Sequence, residues 1–152
     1  MMQRADIYIR NACPDEAVLL HAYDSVIFHE GWSEKSFLSS IQSINEIVPV
    51  AVSEETGEII AYAAVSFVLD EANINRIAVV DKYRGNGIGI YMLEYIEKNL
   101  PDIVSVYNLE VRESNTHAID MYKRAGYDVL GMRRNFYRNP EENALLMTKR
   151  KV

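Results

Sequence analysis

The sequence predicts a single α/β domain: a mixed sheet of about seven strands with helices on both faces. Three observations carry this. Strand-like and helix-like segments follow one another in the order β-α-α-β-β-β-α-β-α-β-β. One segment, Ile59 to Leu69, is apolar on both faces, as a central strand covered by helices must be. The chain has 152 residues, 49% of them hydrophobic, which suits one large core and leaves no room for two ordinary domains.

Each element has its own local signal. Ala5 to Arg10 alternates polar and apolar residues and reads as a strand. Pro14 and Asp15 open a helix whose apolar stripe is expected to be Val18, Leu19, Ala22, Val26 and Ile27. Ser33, Ser36 and Phe37 begin a second helix, ending near Asn45. Ile47 to Ser53 and Ile59 to Leu69 form strands joined by a polar turn containing Gly57, and Ala72 to Val80 follows as another. Gly87 starts a helix with the stripe Ile88, Tyr91, Met92, Tyr95 and Ile96, and Pro101 lies just past its end. Ile103 to Val111 alternates and is β-branched, hence a strand. Asn115 to Ala125 is a helix with Ala118, Ile119 and Tyr122 inward and Gly126 at its stop. Tyr127 to Tyr137 and Ala144 to Lys149 close the chain as strands.

Charge and composition narrow the function. A formal net charge of −6 disfavours nucleic acid and favours a basic peptide or cationic amine. One cysteine, Cys13, forms no intrachain disulfide and fits a reducing cytoplasm. No CxxC or HExxH spacing suggests a metal. The first residues lack the apolar run of a signal peptide, and the longest apolar stretch is too short to span a bilayer, so no membrane partner is expected.

The densest chemical signal runs from Ile77 to Gly89, where a buried strand enters a turn holding Gly85, Gly87 and Gly89 and then a helix. Free amides at a helix start bind anions, and glycines allow close approach. Arg84 adds positive charge, and the whole suits a pyrophosphate. The Rossmann pattern would need glycine where Ile90 stands, and a Walker loop would need Gly-Lys at that point. An ordinary glycine-rich turn is the plain alternative.

The spacing Arg84-x-x-Gly87-x-Gly89 resembles the coenzyme A loop of the GNAT superfamily. A second stretch, Leu109-Glu110-Val111-Arg112-Glu113-Ser114-Asn115 with Tyr122 following, and a third, Arg133-Arg134-Asn135-Phe136-Tyr137, sharpen the likeness. With Trp32 to Phe37, Leu69 to Ala72 and Ile77 to Val79, the chain is similar over nearly its whole length to RimI-type ribosomal-protein alanine N-acetyltransferases.

That resemblance implies a mostly antiparallel GNAT sheet and acetyl-CoA as cosubstrate, with no metal. It implies Glu110 as the base that deprotonates the acceptor amine and Tyr122 as the acid for the leaving thiolate. Asn115, the backbone of Ile77, Ala78 and Val79, and the loop of Arg84, Gly85, Asn86, Gly87, Ile88, Gly89 and Ile90 would hold the cofactor. The implied acceptor is the N-terminal alanine of a small-subunit ribosomal protein, in a groove between the first two helices and the C-terminal hairpin. The enzyme is expected to be a monomer or weak homodimer. A turn Val80-Asp81-Lys82 stands where the family often has Asp-Pro, and the loop from Arg138 to Asn143 varies in length and content.

Other readings compete. The acceptor is alternatively a small-molecule amine or a lysine, or the domain binds coenzyme A without turnover. Glu110 is alternatively a solvated strand carboxylate, Tyr122 a core aromatic, Asn115 a helix cap, and Arg133 and Arg134 surface charges. Trp32 either lines the groove or packs between the first two helices, and His21, His29 and His117 match no catalytic pattern.

Overall fold

A computed structural model describes residues 2–28 and 30–152. His29 lies outside the described residues. The elements are β1 (Ile7–Asn11), α1 (Ala17–Ile27), α2 (Glu34–Gln42), β2 (Glu46–Ile47), β3 (Pro49–Ser53), β4 (Ile59–Val68) and β5 (Glu71–Val79). They continue with α3 (Ile88–Asn99), β6 (Val106–Arg112), α4 (Thr116–Arg124), β7 (Asp128–Tyr137) and β8 (Glu142–Arg150). Seven strands lie in the order β1-β3-β4-β5-β6-β8-β7, with the short β2 also paired to β4. Every pairing is antiparallel except β5 with β6, whose parallel crossover is made by α3.

Strand β4 explains the two-sided apolar run. Ile60, Ala63 and Val65 face a core shared with Met92, Leu93 and Ile96 of α3 and with Tyr107, Leu109 and Met147. Ile59, Tyr62 and Ala64 face a second core with Leu20 of α1, Phe37 of α2, and Val50, Val52 and Ala78. Helices α1 and α2 therefore cover one face, and α3 and α4 the other.

Helix α1 overturns its expected stripe. Val18, Leu19, Ala22 and Val26 are exposed, Val26 at 83%, while Ala17, Leu20 and Asp24 are buried. Of the expected stripe only Ile27 packs against the core. The helix turns inward the face carrying Asp24, whose carboxylate meets the buried Tyr62 hydroxyl, the Trp32 amide and Arg76. In α3, Ile88, Met92 and Ile96 are buried as expected, but Leu93 joins them and Tyr91 and Tyr95 stay half-exposed.

Several boundaries also move. Residues 4–6 form a 3-10 turn, so β1 begins at Ile7. The strand expected from Ile103 starts at Val106: the Val104 amide donates to Pro101, those of Ser105 and Val106 donate to Asp70, and Ile103 points to solvent. Ser33 caps α2 by accepting from the Ser36 amide, and α2 stops at Gln42.

Candidate active site

Strands β5 and β6 pair only as far as Ile74 with Leu109, and then separate. A bulge accounts for the parting. Ile74 opposes Val65 and Arg76 opposes Ala64, so Asn75 is an extra residue that bends β5 away from β6. Beyond the bulge, the Val80 amide donates to the Ile60 carbonyl. Antiparallel alternation then places Ala78 in a hydrogen-bonded pair with Tyr62, and turns the amide and carbonyl of Ile77 and Val79 into the gap. Ile77 thus offers its amide and carbonyl to an extended ligand and Val79 its amide, since the Val79 carbonyl accepts from Arg84 Nε at 3.3 Å, and Ala78 uses its own groups on β4.

The loop at the head of α3 is built for an anion. Gly85 and Gly87 have φ of +83° and +74°, the left-handed region that glycine occupies without strain. Gly87 is the N-cap, so the amides of Ile88, Gly89 and Ile90 have no intrahelical acceptor. A Cβ on Gly85 or Gly87 would meet nothing, which leaves room for a ligand against the backbone. Asn86 shapes the turn: its Nδ2 donates to the Tyr83 carbonyl at 2.9 Å, and its Oδ1 accepts the Met2 amide at 3.1 Å. Arg84 bends back onto Asp81 at 3.0 Å and donates from Nε to the Val79 carbonyl. Gly89 serves a different purpose from the other two. A Cβ there would meet Met121 Sδ and Cε, so the movable end of this α4 side chain rests against α3 at Gly89. A diphosphate fits this cradle of amides and glycines.

Glu110 is the residue of β6 immediately past the last β5–β6 pair. Leu109 and Val111 are buried on the α3 side, so alternation turns Glu110 to the α1–α2 side, where it is half-buried. Its Oε2 is buried without a hydrogen bond, 3.8 Å from Arg133 Nε. Tyr122 of α4 is buried among the α3-side core residues. Burial, with a smaller push from Tyr137, raises its phenol well above the ordinary value, so it stays protonated at neutral pH. Asn115 caps α4, its Oδ1 accepting the Ala118 amide at 3.2 Å, and its exposed position leaves it free for a second contact.

The model of the acetyltransferase (GNAT) family matches residues 17–127, which hold the loop, Glu110 and Tyr122. The chain belongs to the GNAT family. As such it is an acetyl-CoA-dependent N-acetyltransferase. It is 35% identical over 119 residues to the ribosomal protein bS18-alanine N-acetyltransferase of Escherichia coli K12, covering 76% of this chain and 78% of that one. A crystal structure of the Escherichia coli ribosomal-protein-S18-alanine N-acetyltransferase superposes with a TM-score of 0.86 at 29% identity, covering 96% and 95%. Arabidopsis thaliana NAA60 shares the fold, with a TM-score of 0.86 at 19% identity over 96% and 99% of the chains.

Within this GNAT fold, two residues stand beside Glu110 that sequence reasoning did not assign. Tyr137 is an electrostatic neighbour of both candidate groups. Burial first, then the Glu110 carboxylate, hold its phenol above the ordinary value, while Arg112 and Arg76 pull it down. Arg112, two residues beyond Glu110 on the same face, ties the β7–β8 hairpin to β6. Its Nη1 and Nη2 donate to the Pro140 and Arg138 carbonyls at 3.0 Å, and its guanidinium stacks 4.4 Å from the Tyr137 ring. Glu142 completes the link, 3.3 Å from Arg112 and accepting the Ser114 amide at 2.6 Å. Only the alternation of the Leu109-Glu110-Val111-Arg112 run, which puts Arg112 beside Glu110, could have flagged it.

Arg112→Met is expected to lower stability by about 1–3 kcal/mol, the range for lost hydrogen bonds from a charged donor. Urea denaturation checks this, and a change below about 0.5 kcal/mol would show the hairpin to be held by other contacts. The Ser114 contacts and Arg112 keep the Glu142 carboxyl below its usual range. A depressed folded pKa contributes stability above the unfolded value of about 4.3, and that contribution fades as pH falls through the folded value.

His21 is structural, its Nδ1 lying 2.8 Å from the Trp32 carbonyl, and His117 is exposed. Trp32 does pack against Phe37, with ring centroids 5.3 Å apart.

Proposed function

We propose that the enzyme acetylates protein N-terminal α-amines, with the N-terminal alanine of a small-subunit ribosomal protein as acceptor. The observation that carries the reading is the pairing of a diphosphate cradle at residues 85–90 with a buried carboxylate oxygen that accepts no hydrogen bond, Glu110 Oε2, at the opening of the strand gap. The curated relatives named for bS18 alanine acetylation, 35% identical to this chain in the Escherichia coli case, support the choice of acceptor.

In this reading the acetyl thioester is supplied by acetyl-CoA, the diphosphate lies against the amides of residues 85–90, and Asn115 contacts the cofactor. Ile77, through its amide and carbonyl, and Val79, through its amide, would hold its extended arm. The arm then leads from the loop toward the parting of β5 and β6, where Glu110 stands.

Only a neutral amine attacks a thioester. An α-amine of pKa about 7.7–8.0 is roughly one-tenth neutral at pH 7, whereas a lysine of pKa about 10.4 is neutral to less than one part in a thousand. A carboxylate that takes the proton directly or through one water is a sufficient base for the α-amine. The amine nitrogen bonds the acetyl carbon, the carbon–sulfur bond breaks, and the sulfur leaves as thiolate. Tyr122, protonated throughout this pH range, donates its phenolic hydrogen to that sulfur, and the second proton that the amine nitrogen sheds as the amide forms passes through solvent to restore the phenol. No covalent enzyme intermediate is needed, and the exposed Cys13 takes no part.

The test compares a basic peptide beginning with alanine against the same peptide blocked at its α-amine, with thiol release as the readout. Release from the free peptide alone is the expected result. Equal release from both would assign the activity to lysine side chains instead.

A further inference from the structure

A buried charge pair lies beneath the loop joining α1 to α2, on the face of the sheet to which Glu110 points. Asp24 is fully buried in α1. Its Oδ1 accepts the Tyr62 hydroxyl at 2.6 Å, and its Oδ2 accepts the Trp32 amide at 2.7 Å. Arg76 Nε stands 3.4 Å from the same Oδ2, buried and without a hydrogen bond.

Arg76 then reaches the loop itself. Its Nη2 donates to the Glu30 carbonyl at 2.7 Å, and its guanidinium lies 4.5 Å from the Phe28 ring and 5.5 Å from the Trp32 ring. Gly31 presses so closely on the Asp24 backbone that a Cβ would sit 3.0 Å from it. The loop is thus fixed at Phe28, Glu30, Gly31 and Trp32 by one acid and one base.

Two further facts give this arrangement a functional direction. Arg76 occupies β5 directly after the bulge residue Asn75, at the parting from β6 that Glu110 borders on the other side. Arg76 and Glu110 also both act electrostatically on Tyr137. Buried ion pairs also stabilise poorly, because desolvation offsets their attraction, and a hydrophobic pair of similar volume often serves as well. A pair retained at the edge of an active site points to positioning.

We propose that Arg76, held by Asp24, is a positioning residue that fixes Phe28, Glu30, Gly31 and Trp32 as the β5-side wall of the acceptor site and thereby sets acceptor selectivity. Arg112 holds the opposite wall, the β7–β8 hairpin, by the same means: a guanidinium stacked on an aromatic ring and donating to loop carbonyls. The inference rests on the acceptor approaching Glu110 from the α1–α2 face.

The experiment uses steady-state kinetics with whichever amine the wild type accepts, so failure of the α-amine reading, seen in the wild type alone, is distinct from failure here. Arg76→Met is compared with the double change Asp24→Asn and Arg76→Met, which removes both charges together and keeps an acceptor for the Tyr62 hydroxyl. The expected result for the folded double variant is an acceptor KM raised about tenfold, with the KM for acetyl-CoA within about twofold of wild type. Arg76→Lys is expected to recover little of the loss, because an ammonium neither stacks nor forks onto the Glu30 carbonyl. An unchanged acceptor KM, both KM values rising in step, or full rescue by lysine would overturn the proposal.

Discussion

Glu110→Gln is expected to lower kcat about 100-fold at pH 7 while leaving acetyl-CoA binding and the melting temperature unchanged. The substitution keeps the size of the side chain and removes only its basicity. Loss of a positioned base is worth about 10²–10⁴-fold. The lower end applies here because an α-amine is already partly neutral at pH 7. For the same reason the variant has a distinctive pH profile. Its rate should climb about tenfold per pH unit until the amine's own pKa near 8 and then level, since solvent takes over the deprotonation. The nearby Arg133, 3.8 Å from Oε2, sharpens the comparison, because the glutamine removes the carboxylate that this guanidinium faces. Arg133→Ala should therefore leave a residual rate well above that of Glu110→Gln. A kcat for Glu110→Gln within twofold of wild type would remove Glu110 from the chemistry and leave it a strand carboxylate.

How much of this was legible in the sequence depends on whether the deciding contacts are local. The glycine loop was legible because Gly85 and Gly87 need their left-handed φ for reasons internal to the turn. Ser33 and Asn115 were legible as caps because each side chain bonds an amide three residues on. The face of Glu110 followed from strict alternation between Leu109 and Val111.

The failures are all non-local. The α1 stripe was misjudged because Asp24 counted as polar, and its burial depends on Tyr62 and Arg76, far off in the chain. The gap between β5 and β6 depends on a bulge at Asn75 that is defined only against β4. Gly89 was read by spacing as part of the anion loop, and its contact with the end of the Met121 side chain on another helix was not legible. Arg112 sits inside a motif noticed for its neighbours, and its partners lie in a hairpin about thirty residues away.

The second large effect concerns stability, and it follows from the same buried acid that misled the reading of α1. Asp24→Ala is expected to destabilise the protein by about 3–5 kcal/mol, the range for removing one partner of a buried charge pair. Two groups lose their hydrogen-bond acceptor, the Tyr62 hydroxyl and the Trp32 amide, and the Arg76 guanidinium loses its counterion. The Tyr62 hydroxyl finds no substitute among Leu20 and Phe37, while Arg76 keeps only the Glu30 carbonyl. For a domain of this size the loss corresponds to a fall in melting temperature of about 6–20 °C. Asp24→Asn should cost less, since a carbonyl oxygen still accepts one of the two hydrogen bonds. Adding Arg76→Met to the asparagine should cost little more, because it removes the charge left without a counterion. That ordering separates electrostatics from packing. If the aspartate mattered only by filling space, the asparagine would be neutral and the arginine change would add its own independent loss. Urea melts of the four proteins decide between the two, and an Asp24→Ala loss below about 1 kcal/mol would mean that water enters to serve the orphaned groups.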